Sequence, residues 1–123
     1  LGGQLDDLVA LVSGNSLIQM AILVALGEDL QIDEPFTCDG VAYLVEKQAA
    51  MSAHRLCKLD GLNEARTLPG VESVVVNRQS GDQLDWRDCT FGFLYRVVGT
   101  SARHEEMWRT WQEIDQLVTI DLA

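Results

Sequence analysis

Two β-branched and aromatic runs, "VESVVVN" at 71–77 and "FGFLYRVVG" at 91–99, are separated by the turn signal Gly81-Asp82, and they constrain the fold more than any other feature. The second run alternates, with Phe93, Tyr95 and Val97 on one face and Leu94, Arg96 and Val98 on the other. Upstream, "RLCKL" reads as a short strand and "NEARTL" as one or two helical turns opened by a good cap residue, Asn63. Downstream, Met107, Trp111, Ile114 and Val118 recur at helical spacing over 102–118, with Glu105 and Glu106 near the positive helix N-terminus. "TIDLA" closes the chain as a strand. From about residue 54 the order is therefore β-α-β-β-α-β, a split βαβ arrangement whose antiparallel sheet carries both helices on one face. Within it "TLPGV" is a helix-to-strand corner: Pro69 ends the helix, Gly70 permits the reversal and Val71 starts the strand.

The first forty residues have another texture. Leu5, Leu8, Val9 and Val12 mark one face of a helix over about 5–13, and Gly14 supplies a left-handed cap. Ser16 caps a second helix running to Leu26 and ended by Gly27; being apolar nearly all round, that helix should be central. An acidic connection with one Pro follows at 28–35, and "VAYLV" then reads as another short strand. The expected fold is thus α+β: two N-terminal helices followed by a β-α-β-β-α-β lobe with a mainly antiparallel sheet and helices on one face.

With 47% hydrophobic residues, 123 residues can bury one core, so a globular, soluble protein is expected. A formal charge of -10 repels phosphate backbones and anionic surfaces, which argues against nucleic acid and membranes as partners. The most apolar stretch, "LIQMAILVAL", is far short of the roughly 20 residues a bilayer requires. No secretory signal is visible. Cys38, Cys57 and Cys89 are odd in number and lack a CxxC, which suits reduced thiols in the cytoplasm.

Chemistry is scarce. Gly2-Gly3 is the only adjacent glycine pair and Lys47 and Lys58 the only lysines, so the chain carries no phosphate-binding loop of its own. His54 and His104 lack metal-ligand spacing, and Asp6-Asp7, Asp33-Glu34 and Glu105-Glu106 read as solvated charge. Ser13-Gly14-Asn15-Ser16 lacks the context of a nucleophile turn and reads as a cap and loop. Trp111 fits the core stripe, whereas Trp86, in a polar loop, either covers a sheet edge or faces a partner. Glu64 and Arg66 read as surface charges.

Taken in order, "LGGQLDDLVALVSGNSL", "AILVALGE", "CKLDGLNEARTLPGV", "SGDQLDW", "FGFLYRVVGTS" and "TIDL" resemble the end of an ATP-grasp carboxylate-amine ligase, in the branch that includes L-amino acid ligases. The resemblance implies that residues 1–40 are the C-terminal end of the ATP-grasp catalytic core and 41–123 a C-terminal accessory α+β lobe. It places the family's Glu-x-Asn-x-Arg metal motif just before Leu1 and the nucleotide-binding lysines further upstream, in an ATP-grasp core that would be this chain's partner. The parent enzyme would use ATP and Mg2+ to phosphorylate a carboxylate, amino acid or other, and let an amine attack the acyl phosphate. This chain alone would bind neither cofactor and would be inactive, with no catalytic residue of its own. By position Gly2, Gly3 and Gln4 would be its substrate-binding residues, Gln4 pointing into the amino-substrate pocket. Residues 1–30, parted from that core, should self-associate as a two-fold homodimer. The alternative is a non-catalytic α+β module for dimerisation or small-ligand binding.

Overall fold

The computed structural model describes residues 4–30 and 38–123. Helix α1 (Leu5–Ser13) ends at Gly14, whose φ of 69° lets its N–H reach the Ala10 carbonyl. Helix α2 (Leu17–Ala25) starts at Ser16, whose Oγ accepts from the Gln19 amide at 3.1 Å, as its sequence position predicts. Asp6 is more than solvated charge. Its carboxylate accepts from Ser16 Oγ and from the Ile18 amide at 3.1 Å, bonding α1 to the first turn of α2 across a bend of 103°.

Strand β1 (Val41–Gln48) is followed by β2 (Leu56–Asp60), the short helix α3 (Leu62–Ala65), β3 (Val71–Val76), a 3-10 turn (Trp86–Phe91), β4 (Phe93–Ser101), helix α4 (His104–Leu117) and β5 (Thr119–Leu122). The element order matches the expectation. The pairing splits it into two sheets, β1-β4-β3 and β2-β5, all antiparallel. A single split βαβ sheet would need β2 beside β4. Instead the eight residues of β1, longer than the "VAYLV" core of the strand, pair along β4 and take that edge. The other side of β2 is held by the turn after β3: Gly81 N donates to Leu56 O at 2.7 Å, Leu56 N to Asp82 O, and Leu59 N to Ser80 Oγ. With those backbone groups satisfied, β2 has no edge left for β4.

One cluster joins the two sheets. Tyr43, Val74, Tyr95 and Val97 from the larger sheet meet Leu56 from β2, Leu62 and Ala65 from α3, and Ile114 and Val118 at the end of α4. Strict alternation fails in β4. The register slips between Lys47 and Gln48, so that Leu94 and Tyr95, neighbours in sequence, are both fully buried in this cluster. Phe93, Arg96 and Val98 then share the opposite face, where the Arg96 guanidinium lies 4.4 Å from the Phe93 ring and its Nε donates to Glu46 at 2.8 Å. Helix α1 covers that second face by packing on β1 and β4. Helices α3 and α4 lie on the core side, with Lys47 Nζ bonding Asp115 at 2.6 Å to tie β1 to α4.

Two local expectations change. The cap residue of α3 is Gly61, at φ 87°, rather than Asn63, whose Oδ1 instead accepts from Arg66 at 2.7 Å. Helix α2 is not central within this chain. Ile18, Ile22, Val24 and Leu26 are 51 to 72% exposed and none of its residues is buried. Its apolar surface exceeds what one bend against α1 can cover. No single helix among the described residues is long and apolar enough to cross a membrane.

Candidate functional site

Of the three residues singled out as substrate-binding, Gly2 and Gly3 lie outside the described residues, and Gln4 is the N-cap of α1. Its amide makes no capping bond; Oε1 is out of contact with solvent and has no hydrogen-bond partner among the described residues. A buried acceptor left unpaired is costly and marks a place where a donor fits. Gln4 lines an open cleft of about 370 Å3 between α1 and the outer face of the larger sheet, with Asp7, Ala10, Leu11, Glu72, Ser73 and Val98.

The fold explains why these residues meet. Asp7, Ala10 and Leu11 are one helical turn apart and present a single strip of α1. Glu72 and Ser73 sit where β3 slips its register against β4, between the pairs Val71↔Gly99 and Ser73↔Val98. Nearby, the Tyr43 hydroxyl donates to Gly70 O at 3.3 Å, and Thr100 Oγ1 contacts Glu72 at 3.4 Å. Burial, and then the Glu72 carboxylate, raise the Tyr43 pKa above the ordinary tyrosine value. The cleft therefore combines an apolar wall and two carboxylates, with Gln4 at its border. That set accepts hydrogen bonds from a cationic or neutral amine; nothing in it favours an anion.

Glu72 and Asp7 were not legible as site residues. Glu72 is a charged residue in an otherwise apolar strand, a signal compatible with a solvent-facing position, and Asp7 is one member of an acidic pair. Residues of the corner "ARTLPGV" make structural contacts. Asn77 N donates to Leu94 O, which makes Val75↔Arg96 a hydrogen-bonded pair and turns the Val74 carbonyl to the free edge of β3. Arg66 Nη2 donates to that carbonyl at 3.2 Å. Arg66, exposed as expected of a surface charge, thus also closes part of a sheet edge.

The residues considered for metal or nucleophilic chemistry do not converge. Among the described residues no three His, Cys, Asp or Glu side chains are grouped as a metal site would need. His54 and His104 are both exposed, one before β2 and one in the first turn of α4. Cys38 and Cys57 are free and exposed. Asp33-Glu34 falls outside the described residues, and Glu106 accepts from the Ala102 amide at 3.2 Å at the start of α4. Both lysines are engaged with aspartates, Lys47 with Asp115 and Lys58, more loosely, with Asp60 at 3.9 Å.

No family model matches the chain, and no curated protein matches it by sequence. Among solved structures it is similar to an L-amino acid ligase from Bacillus licheniformis, with a TM-score of 0.78 over 96% of this chain at 18% identity. The chain spans 29% of the length of that ligase. At this identity the likeness is one of fold, and the resemblance read from the sequence holds at that level: these two helices and this α+β lobe have the fold of part of that L-amino acid ligase.

Proposed function

We propose that the chain is the C-terminal part of an ATP-dependent carboxylate-amine ligase, acting on amino acids or similar substrates and forming an amide through an acyl phosphate. The observation that carries this reading is the fold similarity to an L-amino acid ligase across nearly the whole chain. Two features support it. The exposed apolar face of α2 is what a helix at the end of a catalytic core would bury against the rest of that core, and Gln4 lines a cleft suited to an amine. In this reading residues 1–40 complete the core, 41–123 form the accessory lobe, and the protein works in the cytoplasm.

ATP and Mg2+ would activate the carboxylate in the parent enzyme. The described residues do not fit either group, since they offer no grouped carboxylates for the metal and no free lysine for phosphates. The part assigned to this chain is reception of the amine. Gly2 and Gly3 would let backbone approach the substrate closely, Gln4 would border the amine pocket, Asp7 and Glu72 would favour the amine's charged form on arrival, and Leu11 and Val98 would contact its side chain.

The test uses the full-length protein with Mg-ATP and pairs of amino acids, measuring phosphate release and amide product, with hydroxylamine to trap the acyl phosphate as a hydroxamate. Product and hydroxamate are expected. Gln4→Ala should raise KM for the amine by about threefold, because it removes part of the wall the amine would pack against. Absence of ATP-dependent product and hydroxamate across the twenty amino acids would overturn the reading. Calorimetry of the present chain with Mg-ATP should show no micromolar binding.

A further inference from the structure

The smaller sheet holds two strands, so β5 pairs with β2 on one side and has no strand on the other. The direction of its backbone groups follows from one pair. Arg55 N donates to Ala123 O at 2.9 Å and Ala123 N to Arg55 O at 3.0 Å, so Ala123 faces β2. Alternation along the strand then turns Leu122 and Ile120 away from β2. Strand β2 agrees: the amides of Leu56 and Leu59, the register partners of Leu122 and Ile120, also face away from the ladder, toward Asp82 O and Ser80 Oγ. Ile120 and Leu122 therefore present two N–H and two C=O groups on the open edge of β5, where they meet no partner among the described residues. Their side chains share one face and line an open cleft of about 310 Å3, floored by Leu94 and Val118, with Gln48 and the Lys47–Asp115 ion pair on its polar side.

A strand laid antiparallel along this edge would form hydrogen-bonded pairs with Ile120 and Leu122 and direct its side chains at those positions toward Leu94 and Val118. The residue between them would stand opposite Asp121 on the outer face. Both lysines near the edge are engaged, Lys47 with Asp115 and Lys58 with Asp60, which leaves Asp121 an exposed carboxylate with no ion pair among the described residues. A second copy of β5 is unsuited to this place. The Val118 N–H is taken by Ile114 O, so only the register that sets Ile120 against Leu122 of the copy uses both residues, and it places two Asp121 carboxylates directly opposite. A cation at that position is matched instead, by Asp121 and by the overall charge of -10.

We propose that the open edge of β5 is a docking site for an extended peptide of the pattern apolar-basic-apolar, which adds as an antiparallel strand through the backbone of Ile120 and Leu122 and pairs its cation with Asp121. The site uses none of the residues assigned to amine reception and stands or falls independently of the ligase reading.

The probe is the blocked peptide acetyl-Thr-Val-Arg-Val-Thr-amide, titrated into the chain up to about 2 mM and followed by backbone-amide NMR; four hydrogen bonds and two apolar side chains should give a dissociation constant of about 0.1 to 1 mM. Saturable shifts are expected, with hydrogen exchange slowed at least about threefold at the Ile120 and Leu122 amides and unchanged at Asp121, whose backbone faces β2. Leu122→Pro removes an N–H that makes no bond to β2 and sets a ring on the edge, so it should weaken binding at least about tenfold. Asp121→Lys should weaken it at least about threefold and favour the peptide carrying Glu in place of Arg. If Leu122→Pro unfolds the chain, Asp121→Lys and the alternating exchange pattern decide. The proposal is overturned by equal binding of the Glu peptide to the wild type, by slowing that does not alternate along β5, or by wild-type affinity in Leu122→Pro. Slowing of the same two amides that rises with protein concentration alone would give the edge to a second copy and overturn it as well.

Discussion

Replacing Gly70 with Ala tests the corner between α3 and β3 most directly. Gly70 has a φ of 81°, a region where an L-residue is strained by about 1 to 2 kcal/mol. A Cβ there would also overlap the Thr100 carbonyl oxygen, backbone of the central strand that cannot swing aside like a side chain. Relief requires β3 to move from β4, lengthening the 2.8 Å bond from Thr100 N to Gly70 O and the Tyr43 hydroxyl contact to the same oxygen; losing such a bond costs about 1 kcal/mol. The sum is roughly 2 to 4 kcal/mol, a fall in melting temperature of about 10 °C in a chain of this size. Gly81→Ala is the control, because Gly81 has a φ of 103° with open space around its Cβ direction and so carries the backbone strain alone. Melting followed by circular dichroism should place Gly70→Ala clearly below Gly81→Ala. Equal melting temperatures would refute the claim that close approach to Thr100 demands glycine.

The Tyr95 hydroxyl is buried without a partner among the described residues, and burial, then Asp115, push its pKa up to about 12 from 10.0. The folded state therefore favours neutral tyrosine: this contribution is full below pH 10 and is lost as pH rises toward 12, by on the order of 2 kcal/mol. Tyr95→Phe should flatten the loss of stability above pH 10, with Tyr43 leaving a residual slope of the same sign, and an unchanged slope in thermal melts would sink the assignment. Arg66→Ala should destabilise by about 1 kcal/mol through loss of its bonds to Asn63 and Val74 O, against no more than about 0.5 kcal/mol for exposed Glu64→Ala, as denaturant melts will decide. The exposed face of α2 should make this chain a two-fold dimer at tens of micromolar, and Ile22→Glu should dissociate it; sedimentation showing wild-type monomer at about 50 μM would count against this.

The elements themselves were legible because their causes are local. Apolar residues at helical spacing made α1 and α4, Ser16 and Gly14 bounded the first two helices, and the β-branched run before Asn77 made β3. Even the Pro69-Gly70 corner followed from backbone chemistry alone. What the residues could not state is which strand edges meet. The separation of β2 from β4 depends on β1 taking one edge and on the 79–84 turn bonding the other side of β2, competitions between segments far apart in sequence. The doubled burial of Leu94 and Tyr95 has the same origin, a register slip that exists only against β1. So does the Gln4 cleft: Asp7 and Glu72 are unremarkable charges in their own segments, and become a candidate amine site only because α1 lies across the face of β4 that α3 and α4 leave open. The place of α2 was misjudged for the converse reason. Its composition demands burial, but composition cannot say whether the surface that provides it belongs to the same stretch of chain, and among the described residues none does.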